Sequence, residues 1–184
     1  AQDLLANLTL SMADLLALRN AAKFLNIAFI VTPFSLSDVD ALRELDIDAI
    51  KIASPDVVNV PLIKAAANLC KPMLISTGAA ELNELTFAVE HMRAKALTCC
   101  FLQCVSSYPT PTELAALGGI RAISEAFSMP AGYSDHTTDV TTGALAVAAG
   151  ACVVEKHLTY DRNAQGPDHA ASLEPQSFTQ YVQL

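Results

Sequence analysis

The side chains best suited to chemistry in this sequence stand where short apolar runs end. His136 closes the run entering Gly-Tyr-Ser-Asp-His-Thr at 132–137, and His157 closes the next run at Glu-Lys-His, 155–157. If the two runs are neighbouring parallel strands, their backbones lie about 4.8 Å apart and both imidazoles reach one ion. With Asp135, Glu155 and Asp168 nearby, the pair makes a mixed nitrogen and oxygen donor set for a borderline or hard divalent metal with open positions. The other reading of each histidine is a side chain hydrogen-bonded into its loop, since neither spacing is a closed zinc motif. His91 lacks such company and reads as a surface residue on a helix.

Lys51 is the most informative single residue. Alternation puts it on one face with Ala49 and Ala53, in a run whose two faces are both apolar enough to be buried. An unpaired buried ammonium is costly, so Lys51 needs an anion. That anion is either an acid of the chain, Glu155 or Asp56, or a bound phosphate or carboxylate. Polar groups close the other runs as well: Thr32, Ser54, Ser76, Thr77, Gln103 and Ser134. A single strand-terminal hydroxyl usually caps a helix, but a set converging on one rim describes a binding site. Asp168, in Gly-Pro-Asp-His at 166–169, belongs either to an ordinary loop or to a surface facing a sugar.

These groups need a scaffold that brings strand ends together. The apolar runs at Ala28–Thr32, Ala49–Ser54, Met73–Thr77, Thr98–Val105, Ala131–Ser134 and Cys152–His157 read as strands, with helical patterns between them. Ser11, with Asp14 three residues on, signals a capping box. Ser37 and Asn59 are expected to cap the next two helices, and the later ones are expected to start near Glu81, Gly118 and Thr138. Strands apolar on both faces and separated by helices belong to a parallel α/β sheet. Thr77-Gly78-Ala79-Ala80 is no dinucleotide fingerprint, and the regular spacing favours a (β/α) TIM-type barrel as a single domain. Such a barrel has eight strands over roughly 250 residues, so about six strands point to an incomplete barrel whose two leading units lie outside the chain. The first residues, Ala1 to Thr9, read as a loop entering a helix. Six strands leave two bare edges, which invites pairing with a second copy.

Composition narrows the classes. The chain has 184 residues, 52% of them apolar, enough for a full core. Its net charge of −8, from 11 basic and 19 acidic residues, argues against nucleic acid and anionic lipid as partners. No apolar stretch approaches a membrane span and no signal-peptide pattern is visible, so the expected setting is cytoplasmic. An odd cysteine count, with Cys99, Cys100, Cys104 and Cys152 inside apolar runs, reads as buried reduced thiols.

Taken together, the motifs resemble the sialic acid (N-acetylneuraminate) synthase family. Thr32-Pro33-Phe34, Lys51-Ile52-Ala53-Ser54, Ser-Thr-Gly at 76–78, Ser-Tyr-Pro-Thr-Pro at 107–111, the 132–137 segment, Glu-Lys-His, Gly-Pro-Asp-His and Ala171-Ser172-Leu173-Glu174-Pro175 stand in family order. Several of these phrases look particularly like the bacterial branch that makes legionaminic acid. The resemblance implies condensation of phosphoenolpyruvate with an N-acetylmannosamine-type aldose, giving a nonulosonic acid and phosphate. It implies His136 and His157 as ligands of Mn2+ or Mg2+, and Thr32, Lys51, Ser54, Ser76 and Ser134 as the phosphoenolpyruvate contacts. Tyr108 and Asp168 are implied near the sugar. Asp56 stands where many members have glutamate, a shorter reach to the same substrate group. A homodimer is implied as well. The family's leading strand with its catalytic glutamate, its second, lysine-bearing strand and its C-terminal antifreeze-like domain have no counterpart in these residues.

Overall fold

A computed structural model of the chain describes residues 9–184, so the expected leading loop lies outside the described residues except at Thr9. Six parallel strands form one sheet in sequence order: β1 (Ile30–Val31), β2 (Ala49–Ile52), β3 (Met73–Ser76), β4 (Cys99–Cys104), β5 (Ala131–Asp135) and β6 (Val154–Lys156). The helices are α1 (Met12–Phe24), α2 (Leu36–Leu42), α3 (Val60–Ala67), α4 (Thr86–Ala94), α5 (Gly118–Phe127), α6 (Thr142–Ala148) and α7 (Pro175–Gln183). The sheet curls as an incomplete TIM-type barrel, with β1 and β6 at its edges. None of the described helices is long and apolar enough to cross a membrane.

Local chemistry explains where most helices begin. The Ser11 hydroxyl accepts the Asp14 N–H while the Asp14 carboxylate accepts the Ser11 N–H, so the expected capping box starts α1. Asn59 caps α3 through the Leu62 N–H, and Pro61 sits in the first turn, where its missing donor costs nothing. The cap of α2 is Ser35 rather than the expected Ser37. Ser35 is the last extended residue, and its hydroxyl takes the Asp38 N–H, whereas Ser37 already lies inside the helix. A single 3-10 turn over Leu82–Leu85 precedes α4, which therefore begins later than expected at Glu81. The start of α6 moves likewise from Thr138 to Thr142.

Alternation along the strands divides the sheet into two faces. Ile50, Ile52, Met73, Ile75, Phe101 and Tyr133 are fully buried and belong to one core with helical residues such as Leu62, Ile63, Val89, Met92, Ile120 and Ile123. The other face carries Lys51, Ser76, Cys104, Ser134 and Glu155, whose positions follow from the registers Lys51 with Leu74, Ser76 with Leu102, Cys104 with Ser134 and Ser134 with Glu155. Gly132 lets this inner wall close. A Cβ there would stand 2.5 Å from the Val153 carbonyl oxygen and 2.6 Å from Leu102 Cδ2.

Several expectations need correction. Cys99, Cys100 and Cys104 are buried free thiols, but Cys152 is exposed because it lies in the turn before β6, with its Sγ 3.6 Å from that of Cys100. His91 is half-buried, stacked on Phe87 with its ring centroid 5.5 Å away.

Candidate active site

An open cleft of about 570 Å3 sits over the C-terminal strand ends, which is where parallel barrels place their chemistry. Thr32, Lys51, Ser54, Ser76, Tyr108, Ser134, His136, His157 and Asp168 all line it, as do Phe34, Cys104, Ser106 and Glu155. Nine of the ten sequence-derived site residues thus converge on one surface. Asp56 does not line the cleft. It ends the short turn Ser54–Asp56, where its carboxylate accepts a hydrogen bond from Asn59 Nδ2 at 2.9 Å. Gln103 and Thr77, also strand-terminal, point elsewhere. Gln103 packs against Gly119, and the Thr77 hydroxyl donates to the Leu102 carbonyl.

The anion-binding half centres on Lys51. Its ammonium donates to the Ile52 carbonyl at 2.9 Å and lies 3.6 Å from Glu155 Oε2. The other Glu155 oxygen accepts the Ser134 hydroxyl at 2.6 Å. Of the two acids considered as partners for Lys51, the structure therefore selects Glu155. Burial lowers the Lys51 pKa, with the Glu155 carboxylate working against that shift. The Ser54 hydroxyl accepts the Gly78 N–H at 3.1 Å, whereas the buried Ser76 hydroxyl has no partner among the described residues. An unpartnered buried hydroxyl on a cleft wall is a natural ligand contact.

The second half is built by the ends of β5 and β6. The His136 and His157 rings lie 5.3 Å apart, centroid to centroid. His136 Nδ1 is 2.8 Å from the Val105 carbonyl, which can only accept, so Nδ1 carries the proton and the Nε2 lone pair is left for another partner. His157 Nδ1 stands 4.0 Å from Asp168 Oδ2. Tyr108 packs on His136 at 3.9 Å between centroids and meets His157 edge-on at 5.7 Å. Burial raises its phenol to about 12, followed by the charges of Cys104, Asp168 and Glu155, so it stays a neutral donor.

This donor set fits a divalent ion as a pair of imidazoles with open positions. Among the described residues no group of three or more histidine, cysteine or acidic side chains could hold one. Asp135, expected beside the two histidines, is turned to the opposite face and held by other groups, as alternation from His136 requires. Two further residues shape this site. Glu155 organises both Lys51 and Ser134, and Cys104 lies 3.8 Å from His136 Nδ1.

The NeuB family model matches residues 1–184. The chain belongs to the NeuB family. N,N'-diacetyllegionaminic acid synthase of Campylobacter jejuni is 44% identical over 158 residues, 84% of this chain and 47% of the relative. Mouse N-acetylneuraminate-9-phosphate synthase is 34% identical over 166 residues, 90% of this chain and 46% of the relative. The solved N-acetylneuraminic acid synthetase of Leptospira borgpetersenii superposes with a TM-score of 0.93 at 35% identity, covering 98% of this chain and 64% of that one. The chain thus spans about half the length of these curated NeuB relatives.

Proposed function

We propose that this chain carries the phosphoenolpyruvate and metal half of a nonulosonic acid synthase. The reaction is condensation of phosphoenolpyruvate with N-acetylmannosamine or a related aldose, with release of phosphate. The observation that supports it best is the convergence of a buried lysine, three serine hydroxyls and two imidazoles on one cleft, in a chain whose relatives are named as synthases of such acids.

Lys51 supplies the positive charge for the phosphoenolpyruvate anion, and Ser54, Ser76 and Ser134 supply hydroxyls that orient it. Thr32, just after β1, closes the same wall. His136 and His157 would hold Mn2+ or Mg2+, which would supply Lewis-acid polarisation of the acceptor aldehyde. Tyr108 and Asp168 stand beside the imidazoles, where they meet the sugar hydroxyls. Buried free thiols at Cys99, Cys100 and Cys104 agree with a cytoplasmic setting, and the homodimer that the family resemblance implies belongs to the same reading.

Titration with Mn2+, followed by electron paramagnetic resonance, tests the metal half. His136→Ala removes binding while the fold melts as before, and unchanged affinity refutes the ligand role. One observation favours a second reading. Burial lowers the Lys51 pKa, which suits a Schiff-base aldolase nucleophile. Borohydride trapping with pyruvate separates the two, because only the aldolase leaves a covalent adduct on Lys51.

A further inference from the structure

Behind the two imidazoles, on the opposite face of the same strands, lies a buried polar cluster of which only Lys156 also reaches the cleft lining. Asp135 is fully buried, yet both its carboxylate oxygens are partnered. Oδ1 accepts the Thr137 N–H at 2.8 Å, while Oδ2 accepts the Tyr181 hydroxyl at 2.9 Å and lies 3.2 Å from Lys156 Nζ. The Lys156 ammonium also donates to the carbonyl of Thr137 and lies 3.4 Å from that of Asp135. Those are the carbonyls of the two residues that flank His136. Lys156 itself immediately precedes His157, and its Cα pairs in register with that of Asp135.

We propose that Asp135, Lys156 and Tyr181 are positioning residues that fix the separation of the His136 and His157 imidazoles and hold His136 Nδ1 against the Val105 carbonyl that sets its tautomer; this rests on the reading of those histidines as a metal pair. One side chain of β6 grips the backbone of β5 before and after one imidazole, and that same side chain is adjacent to the other. Movement of either histidine along its strand must then break an ion pair and two ammonium contacts. Tyr181 braces the cluster from α7, with Lys156 Nζ 5.4 Å from its ring centroid. α6 makes room for it with Gly143, where a Cβ would stand 2.4 Å from the Tyr181 ring. Stability alone is a poor explanation, because apolar residues of similar volume commonly replace a buried ion pair without loss. Supporting groups behind metal-binding histidines, by contrast, set ring orientation and ligand basicity.

Tyr181→Phe tests the proposal while keeping the ring, the volume and all charges. Asp135→Asn, which keeps an acceptor of the same size, is the second variant. Ile123→Val, in α5 and remote from the cluster, controls for simple loss of stability. Imidazole nitrogen NMR of the metal-free protein should show His136 held as the Nδ1–H tautomer in the native and Ile123→Val proteins, and as a mixture in the two cluster variants. Mn2+ affinity should fall about ten-fold in both cluster variants and stay unchanged in the control. An unchanged tautomer and unchanged Mn2+ affinity in Tyr181→Phe and Asp135→Asn, with melting temperatures lowered as in Ile123→Val, overturns the proposal. If the native protein itself takes up no Mn2+, the metal reading fails, and the tautomer comparison still decides whether the cluster positions His136.

Discussion

Replacing Lys51 with alanine separates substrate binding from fold. The Lys51 side chain is 10% exposed and that of Glu155 is 34% exposed, so removing the lysine leaves a carboxylate that can hydrate and still accept the Ser134 hydroxyl. The stability change is therefore small beside the effect on substrate. The effect on an incoming anion is larger. A unit charge about 4 Å from the ammonium gains roughly 4 kcal/mol at an effective dielectric constant of about 20. Glu155, already 3.6 Å from Nζ, competes for that charge and reduces the gain. The loss is then about 2 to 4 kcal/mol, within the range for a partly buried charge pair with one member removed, or at least roughly 30-fold in Kd. Isothermal titration of phosphoenolpyruvate into the native and Lys51→Ala proteins measures it. Equal affinity, with intact melting, would mean that Lys51 serves only Glu155 and that the anion site lies elsewhere.

The same lysine predicts a pH effect of definite sign. Burial lowers its folded pKa from 10.5, so the unfolded chain binds more protons in the interval below that value. Native stability relative to Lys51→Ala should rise with pH up to that limit, and denaturant melts across the range would show a falling difference if the sign is wrong. At the other end of the chain, hydrogen bonds from the side chain and backbone of Ser11 hold the Asp14 carboxyl below its ordinary 3.8. That contribution is present above pH 3.8 and lost as pH falls through the folded value, so Ser11→Ala should flatten the acid limb of the melting curve. Gly132→Ala should destabilise by about 1 to 3 kcal/mol, because its Cβ meets a backbone carbonyl that cannot turn aside. A neutral chemical denaturation result would show that β5 and β6 separate more easily than their register suggests.

Apolar runs, helix caps and the polar residues at strand ends made the barrel and most of its cleft readable in advance. Parity was the most reliable guide. It places Lys51, Ser76, Ser134 and His136 on the inner wall, and the same rule applied from His136 would have sent Asp135 outward and Gln103 toward α5. Contacts between strands distant in sequence were harder. The choice of Glu155 over Asp56 as partner of Lys51 depends on how β2 and β6 face each other across the curled sheet, and spacing along the chain carries no record of that. Strand lengths were overestimated at both edges because apolar composition continues past the last paired residue. β1 keeps only Ile30 and Val31, and Cys152 leaves the expected strand for an exposed turn.

The central claim is that this cleft brings phosphoenolpyruvate and an amino-sugar aldose together at a divalent ion. Phosphate release from phosphoenolpyruvate tests it most directly, measured with the protein, N-acetylmannosamine and Mn2+, and with each omitted in turn. The account predicts release that needs all of them and disappears in His136→Ala and Lys51→Ala. Release independent of sugar and metal, or a pyruvate adduct trapped on Lys51, would contradict it.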